Sequence, residues 1–269
     1  MIIGVVNNKG GVGKTTTSIN LSSCLAINKK HVLLVDIDPQ AQSTHGLGIA
    51  INGHHLSLKD VLLAKTEQLY TLFSQKNIKD IIVSSQREGL DVAPADAKLT
   101  QVIEKLYRSY WFFRETILAK CLEPVKPEYD YIVIDCPPGL GVLSLNAIKA
   151  SDFILIPCEM SMASIEGVTT LLEAVSTMKG NGFTNYKIVL TLVNPQCSIT
   201  NRHVMELLLP FKEKILKTQI VRNEHINQAQ MERKDIFTFA PDSKGAEGYS
   251  QLTRELLHLW HIGERKGSN

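Results

Sequence analysis

No two of the five cysteines, Cys24, Cys121, Cys136, Cys158 and Cys197, stand three positions apart as a Cys-x-x-Cys pair would, and their number is odd. Such a set supports neither a disulfide framework nor a paired-cysteine metal or cluster site, so reduced and mostly buried thiols are expected. Long apolar runs are missing too: stretches such as Ile132–Ile134 fall far short of the roughly 20 residues that span a bilayer. No integral membrane association is expected. Neither sign of charge dominates, because 29 basic and 27 acidic residues leave +2, which alone points to neither nucleic acid nor membrane. Linkers rich in Pro, Gly or Ser, internal repeats and low-complexity segments are absent. The 269 residues therefore read as one domain, 1–262, with a disordered polar tail at 263–269. No basic segment and long apolar stretch open the chain as in a secretory signal, which makes cytoplasmic residence the expectation.

Strand-length apolar runs alternate with stretches of helical period, the pattern of a doubly wound α/β fold whose mostly parallel sheet carries helices on both faces. Strands are expected at 2–6, 32–35, 90–93, 131–134, 153–156 and 188–193. Helices are expected at 15–28, 58–64, 98–106, 110–121, 143–149, 165–178, 202–211 and 246–259. Ligands of such sheets bind beyond the C-terminal strand ends, so the residues that follow the apolar runs carry the information.

After the first run comes Asn7-Asn8-Lys9-Gly10-Gly11-Val12-Gly13-Lys14-Thr15-Thr16-Thr17, leading into a helix. Glycines let backbone N–H groups converge on an anion, Lys14 brings a point charge to β and γ phosphates, and the helix N-terminus adds its dipole. Thr15 is placed to ligate Mg²⁺. Two further runs end in carboxylates, Asp36-Ile37-Asp38-Pro39-Gln40 and Asp135-Cys136-Pro137-Pro138. A single aspartate there is often only a turn residue, but two in a sheet that also holds a phosphate loop point to the metal and its waters.

The general loop pattern has glycine where this chain has Asn8, and a second lysine, Lys9, opens the loop. Lys9-Gly10-Gly11-Val12-Gly13-Lys14-Thr15-Thr16 resembles the deviant Walker A motif of the ParA/MinD family of dimerising P-loop ATPases. The resemblance continues through Asp-x-Asp-Pro-Gln and Asp-Cys-Pro-Pro, the family's switch I and Walker B with switch II, and covers nearly the whole chain. It implies ATP and Mg²⁺ as ligands, bound by residues 9 to 16, with Lys9 reaching the phosphates of a second copy. By the same match Asp38 orients the attacking water while Asp36 and Asp135 support the metal. It further implies adenine contacts at Asn194, otherwise only an Asn-Pro turn signal, and at Pro241.

Within the family, the iron–sulfur branches need paired cysteines, and a MinD-like membrane helix is poorly matched by the last segment. There apolar residues 249, 252, 256, 259 and 260 form one stripe with little positive charge, which reads as a core-packing helix. The small partitioning proteins fit better. This branch implies an ATP-bound homodimer that binds DNA without sequence preference and is stimulated by a ParB-like adaptor. Residues 179–234 hold nine Lys or Arg against four Glu, so Arg202, Lys212, Lys214, Lys217 and Arg222 are the candidate DNA contacts, a solvated charged face being the alternative. One departure concerns them: where relatives often have an arginine this chain has Ile199, with Arg202 the nearest substitute. A positioning ATPase on a membrane or protein scaffold, and an enzyme coupling ATP hydrolysis to metabolism, are the competing readings.

Overall fold

Every side chain of Ile2–Val5 (β1) and Val32–Asp36 (β2) is buried, as in strands covered on both faces. They belong to an eight-stranded sheet with Val83–Ser84 (β3), Leu90–Ala93 (β4), Tyr131–Asp135 (β5), Phe153–Glu159 (β6), Tyr186–Val193 (β7) and Ile215–Val221 (β8), in the order β3-β4-β2-β5-β1-β6-β7-β8. All neighbours run parallel except β3 on β4. The computed structural model describes residues 1–51, 56–68, 76–108 and 114–267. Because β5 lies on one side of β1 and β6 on the other, the crossovers part there and leave a crevice beyond the strand ends.

The helices among the described residues are Lys14–Ile27 (α1), Gln42–Gly46 (α2), Leu58–Gln68 (α3), Leu99–Arg108 (α4), Ile117–Leu122 (α5), Val142–Ala150 (α6), Met162–Lys179 (α7), Ser198–Leu207 (α8), Glu224–Met231 (α9), Ile236–Phe239 (α10) and Lys244–Gly267 (α11). Strand side chains alternate between two apolar layers. Ile3, Val5, Leu34 and Val133 meet Leu21 and Leu25 of α1 and Leu252 and Leu256 of α11. Ile2, Leu33, Ile132 and Ile134 face the other layer, with Leu62 of α3, Val102 of α4, Leu118 of α5, Ala147 of α6 and Leu171 of α7.

The apolar stripe of α11 is part of the core: Tyr249, Leu252, Leu256 and Trp260 are buried, and the Trp260 ring lies 5.2 Å from Tyr131 and 5.5 Å, edge-on, from Phe153. Burial of each such side chain contributes about 1.5–3 kcal/mol. That helix runs to Gly267, so 263–267 continue as helix where polar composition suggests a disordered tail; Glu264, Arg265 and Lys266 are all good helix formers. No helix among the described residues is long and apolar enough to cross a membrane.

Three expectations shift. The helix expected at 202–211 spans Ser198–Leu207 and gives way to a 3-10 turn at Leu209–Lys214, since Pro210 cannot continue an α-helix. Of the helix expected at 110–121, residues 110–113 lie outside the described residues, 114–116 form a turn, and the helix spans Ile117–Leu122. The two edge strands, β3 and β8, lie outside the expected set: β3 has only two residues, and Lys217, Thr218 and Gln219 interrupt the apolar pattern of β8, polar residues that one side of an edge strand tolerates.

Candidate nucleotide site

The glycine-rich loop between β1 and α1 is held from three sides. Asn7 donates its side-chain amide to the Pro157 carbonyl of β6 at 2.6 Å and accepts from the Lys9 N–H at 2.9 Å. Thr191 of β7 donates its hydroxyl to the Val12 carbonyl at 2.8 Å, and the Gly139 N–H donates to the Asn8 carbonyl at 2.9 Å. Gly11 and Gly13 take φ of +76° and +84°, a left-handed conformation costly for other residues, and α1 starts directly after them. Lys14 is 6% exposed and donates to the Lys9 carbonyl at 2.8 Å across the loop. Burial lowers its pKa, opposed by the nearby carboxylates of Asp135 and Asp38.

Gly10, Gly11, Gly13, Lys14, Thr15, Thr16 and Asp38 line one cleft of about 560 Å³. Val12 lies beneath it, buried, with its carbonyl taken by Thr191. Asp38 is 6% exposed and accepts from the Gln40 N–H at 2.9 Å, which fixes its carboxylate at the mouth of the loop after β2.

Behind the cleft are two fully buried carboxylates. Asp36 accepts from the Thr44 N–H at 2.9 Å, the Thr44 hydroxyl at 2.7 Å and the Asp38 N–H at 3.0 Å. Burial raises its pKa, and these donors pull it back. Its oxygens thus order residues 38–44 beside the cleft. Asp135 differs. Its Oδ1 accepts from Ser18 at 2.9 Å, while Oδ2 is buried without a hydrogen-bond partner. Burial first, then the charge of Asp36, pushes the pKa of Asp135 up to about 7 against the pull of the nearby hydroxyls of Ser18, Thr15 and Ser43. An orphaned carboxylate oxygen beside Thr15 suits a hydrated Mg²⁺, which takes few protein ligands and keeps its waters. No cluster of three or more His, Cys, Asp or Glu fit to hold a metal exists among the described residues.

Lys9 does not point into the cleft. Its ammonium donates to Glu159 at 2.8 Å, Ser161 at 2.9 Å and Ser164 at 3.4 Å. Asn194 and Pro241 also lie outside the cleft lining. The Asn194 side chain accepts from the Gln196 N–H at 3.1 Å, the turn its Asn-Pro sequence signals. The wall opposite the loop is made by residues the sequence did not single out: Ile220 and Val221 end β8, Asn223 caps α9, and Ile226 and Gln230 follow on it. Gln230 donates to the Thr16 hydroxyl at 2.6 Å. The capping pattern Asn223-Glu224 signals α9, but only β8 brings that helix to the loop.

The five candidate DNA contacts do not share a surface. Arg222 follows β8 and lines the cleft, and Arg202 lies exposed on α8, one turn after Ile199, which is itself 85% exposed; both residues belong to the C-terminal end of the sheet. Lys212 and Lys214 precede β8, about 20 Å away at the strands' other end. Lys214 is occupied there by the Thr184 carbonyl at 2.6 Å and by the Tyr186 ring, 4.8 Å from its centroid. Lys217 is exposed midway along edge strand β8.

A phosphate loop leading into α1 at the switch point of a parallel sheet, with strand-end aspartates beside it, defines a P-loop ATPase. A family model described as an AAA domain matches residues 1–190. The sporulation initiation inhibitor protein Soj of Bacillus subtilis is 39% identical over 258 residues, covering 95% of this chain and 97% of that protein. The chromosome partitioning protein ParA of Myxococcus xanthus is 35% identical, covering 95% and 87%. The crystal structure of cobyrinic acid a,c-diamide synthase from Mycobacterium smegmatis with bound ATP analogue and magnesium superimposes with a TM-score of 0.76 at 27% identity, covering 97% and 96%. The chain belongs to the Soj/ParA family of partitioning ATPases within the ParA/MinD group.

Proposed function

We infer that the protein is an ATP-driven partitioning switch. Two chains join face to face over Mg-ATP, the dimer holds DNA without reading its sequence, and slow hydrolysis, stimulated by a ParB-like adaptor, releases it. The observation that carries this reading is the joint lining of one cleft by the phosphate loop and Asp38 with the orphaned oxygen of Asp135 behind it.

Within the chain, loop N–H groups and Lys14 would hold the phosphates, and Lys14's present bond to the Lys9 carbonyl is what a phosphate oxygen would replace. Asp38 would accept a hydrogen bond from the attacking water and align it with the γ-phosphorus. Phosphoryl transfer needs little else, because positioning and neutralisation of charge supply most of the acceleration. Thr15 and Asp135 would hold Mg²⁺, which would supply positive charge to the phosphates. Lys9, at the loop's rim, would add charge to a second copy's site. The exposed pair Arg202 and Arg222 makes the cleft end of the sheet the better DNA face.

The test is the size and DNA binding of the purified protein with ATP, ADP and no nucleotide. A dimer formed with ATP that alone retains duplex DNA is expected. A chain that stays monomeric with ATP, or an ATP dimer that ignores DNA at low salt and sediments with anionic liposomes, rejects the reading.

A further inference from the structure

Several hydroxyls within these helices turn back on their own backbone four residues earlier: Ser18 donates to the Lys14 carbonyl at 3.0 Å, Thr66 to Leu62 at 2.7 Å, Thr170 to Glu166 at 3.0 Å and Thr253 to Tyr249 at 2.8 Å. Thr16, in the first turn of α1, departs from that habit. The carbonyl four residues before it belongs to Val12 and is taken by Thr191. Its hydroxyl instead accepts from the Gln230 amide at 2.6 Å. A hydroxyl has one proton and two lone pairs, so a donor on its oxygen turns the proton away from that donor. Among the described residues that proton meets no acceptor, and Thr16 lines the nucleotide cleft.

Gln230 is exposed, yet the helix end that carries it is braced on the loop. Asn20 of α1 donates to the Thr16 carbonyl at 2.8 Å and accepts from the N–H of Ile236, the first residue of α10, at 2.8 Å. Asp235, 4% exposed, caps α10 through the N–H groups of Phe237 and Thr238 and accepts from Arg87 at 2.8 and 3.0 Å. The corner between α9 and α10 is therefore fixed both to the first turn of α1 and to the turn before β4, and it delivers the Gln230 amide to one hydroxyl.

We propose that Gln230 is a positioning residue for nucleotide binding: by donating to Thr16 it aims that hydroxyl's proton into the cleft, where it serves a phosphate oxygen. This rests on the reading of the loop as an ATP site. The phosphate then accepts from a hydroxyl already polarised by an amide, and hydrogen bonds in such a chain strengthen one another. A residue 214 positions along the chain thereby sets the geometry of the loop's own hydroxyl.

Calorimetric affinity for Mg-ADP on the full chain reads the site without hydrolysis. Gln230→Ala is expected to bind roughly five- to tenfold more weakly, with the thermal midpoint of the nucleotide-free protein unchanged. Gln230→Glu is expected to lose roughly thirtyfold or more at about pH 8, since a carboxylate only accepts and draws the Thr16 proton from the phosphate. Its deficit relative to Gln230→Ala should shrink toward about pH 5, because a protonated carboxyl donates again. With Thr16→Ala already present, Gln230→Ala should cost little more. Parent affinity in Gln230→Ala, equal losses in the alanine and glutamate variants at every pH, a full additional loss in the Thr16→Ala background, or a lowered midpoint that accounts for the weaker binding would each overturn the positioning role. A parent chain that binds no nucleotide overturns the ATP reading beneath it.

Discussion

Asp36 and Asp135 face each other in register across β2 and β5, both fully buried, one with its oxygens satisfied and the other with Oδ2 unpartnered. Two carboxylates this close, in so little water, disfavour each other's ionised form. Asp135→Asn removes one charge and keeps the shape. The metal-free variant is expected to gain about 1–3 kcal/mol of stability, and its Mg-dependent hydrolysis to fall to background. Thermal denaturation in a chelator reads the first effect as a rise of several degrees; a lower midpoint contradicts it.

Asp38→Ala should leave ATP binding and the ATP dimer intact while slowing hydrolysis by at least about a hundredfold, since its role belongs to the transition state. Single-turnover phosphate release at the parent rate would remove Asp38 from the mechanism.

The two loop lysines should differ in phenotype. Lys14 is buried within the loop and Lys9 is held at its rim by Glu159. Lys14→Ala is expected to weaken ATP binding by roughly a hundredfold or more, as loss of a charge-assisted contact costs about 1.5–3 kcal/mol and the loop itself loosens. Lys9→Ala should bind ATP nearly normally and stay monomeric. Titration with a fluorescent ATP analogue, followed by chromatography, separates the two; equal binding defects would refute the assignment.

DNA binding should follow the sheet's ends. Arg202→Glu is expected to weaken binding of the ATP dimer to all duplexes alike, because phosphate contacts position a protein without reading bases. Lys212→Glu with Lys214→Glu, at the opposite end, should change it little. Log affinity should fall with log salt by about 0.9 per phosphate neutralised, and the Arg202 variant should flatten that slope. A larger loss from the lysine pair than from Arg202 would place DNA at the other end.

The phosphate loop and both strand-end aspartates are legible in sequence because their chemistry requires fixed residues at short spacing, and strands buried on both faces announce themselves as apolar runs. Glu159, Thr191 and Gln230 carry no such signal: each reaches the loop only through the sheet order or the placement of α9. Asn194 and Pro241 rest on resemblance alone, and among local signals Asn194 carries only that of a turn. The basic excess of 179–234 looks like one patch in sequence because proximity along the chain says nothing of which end of β8 a lysine occupies.

The strand order has a consequence for how this protein tolerates change. On one side of β1 lie the ends of β5 and β2 with Asp135, Asp36 and Asp38; on the other lie the ends of β6 and β7 with Glu159 and Thr191. Alleles that stop the clock and alleles that alter pairing should therefore segregate to opposite flanks of a single strand. Either property can then drift in evolution while the loop between them stays fixed.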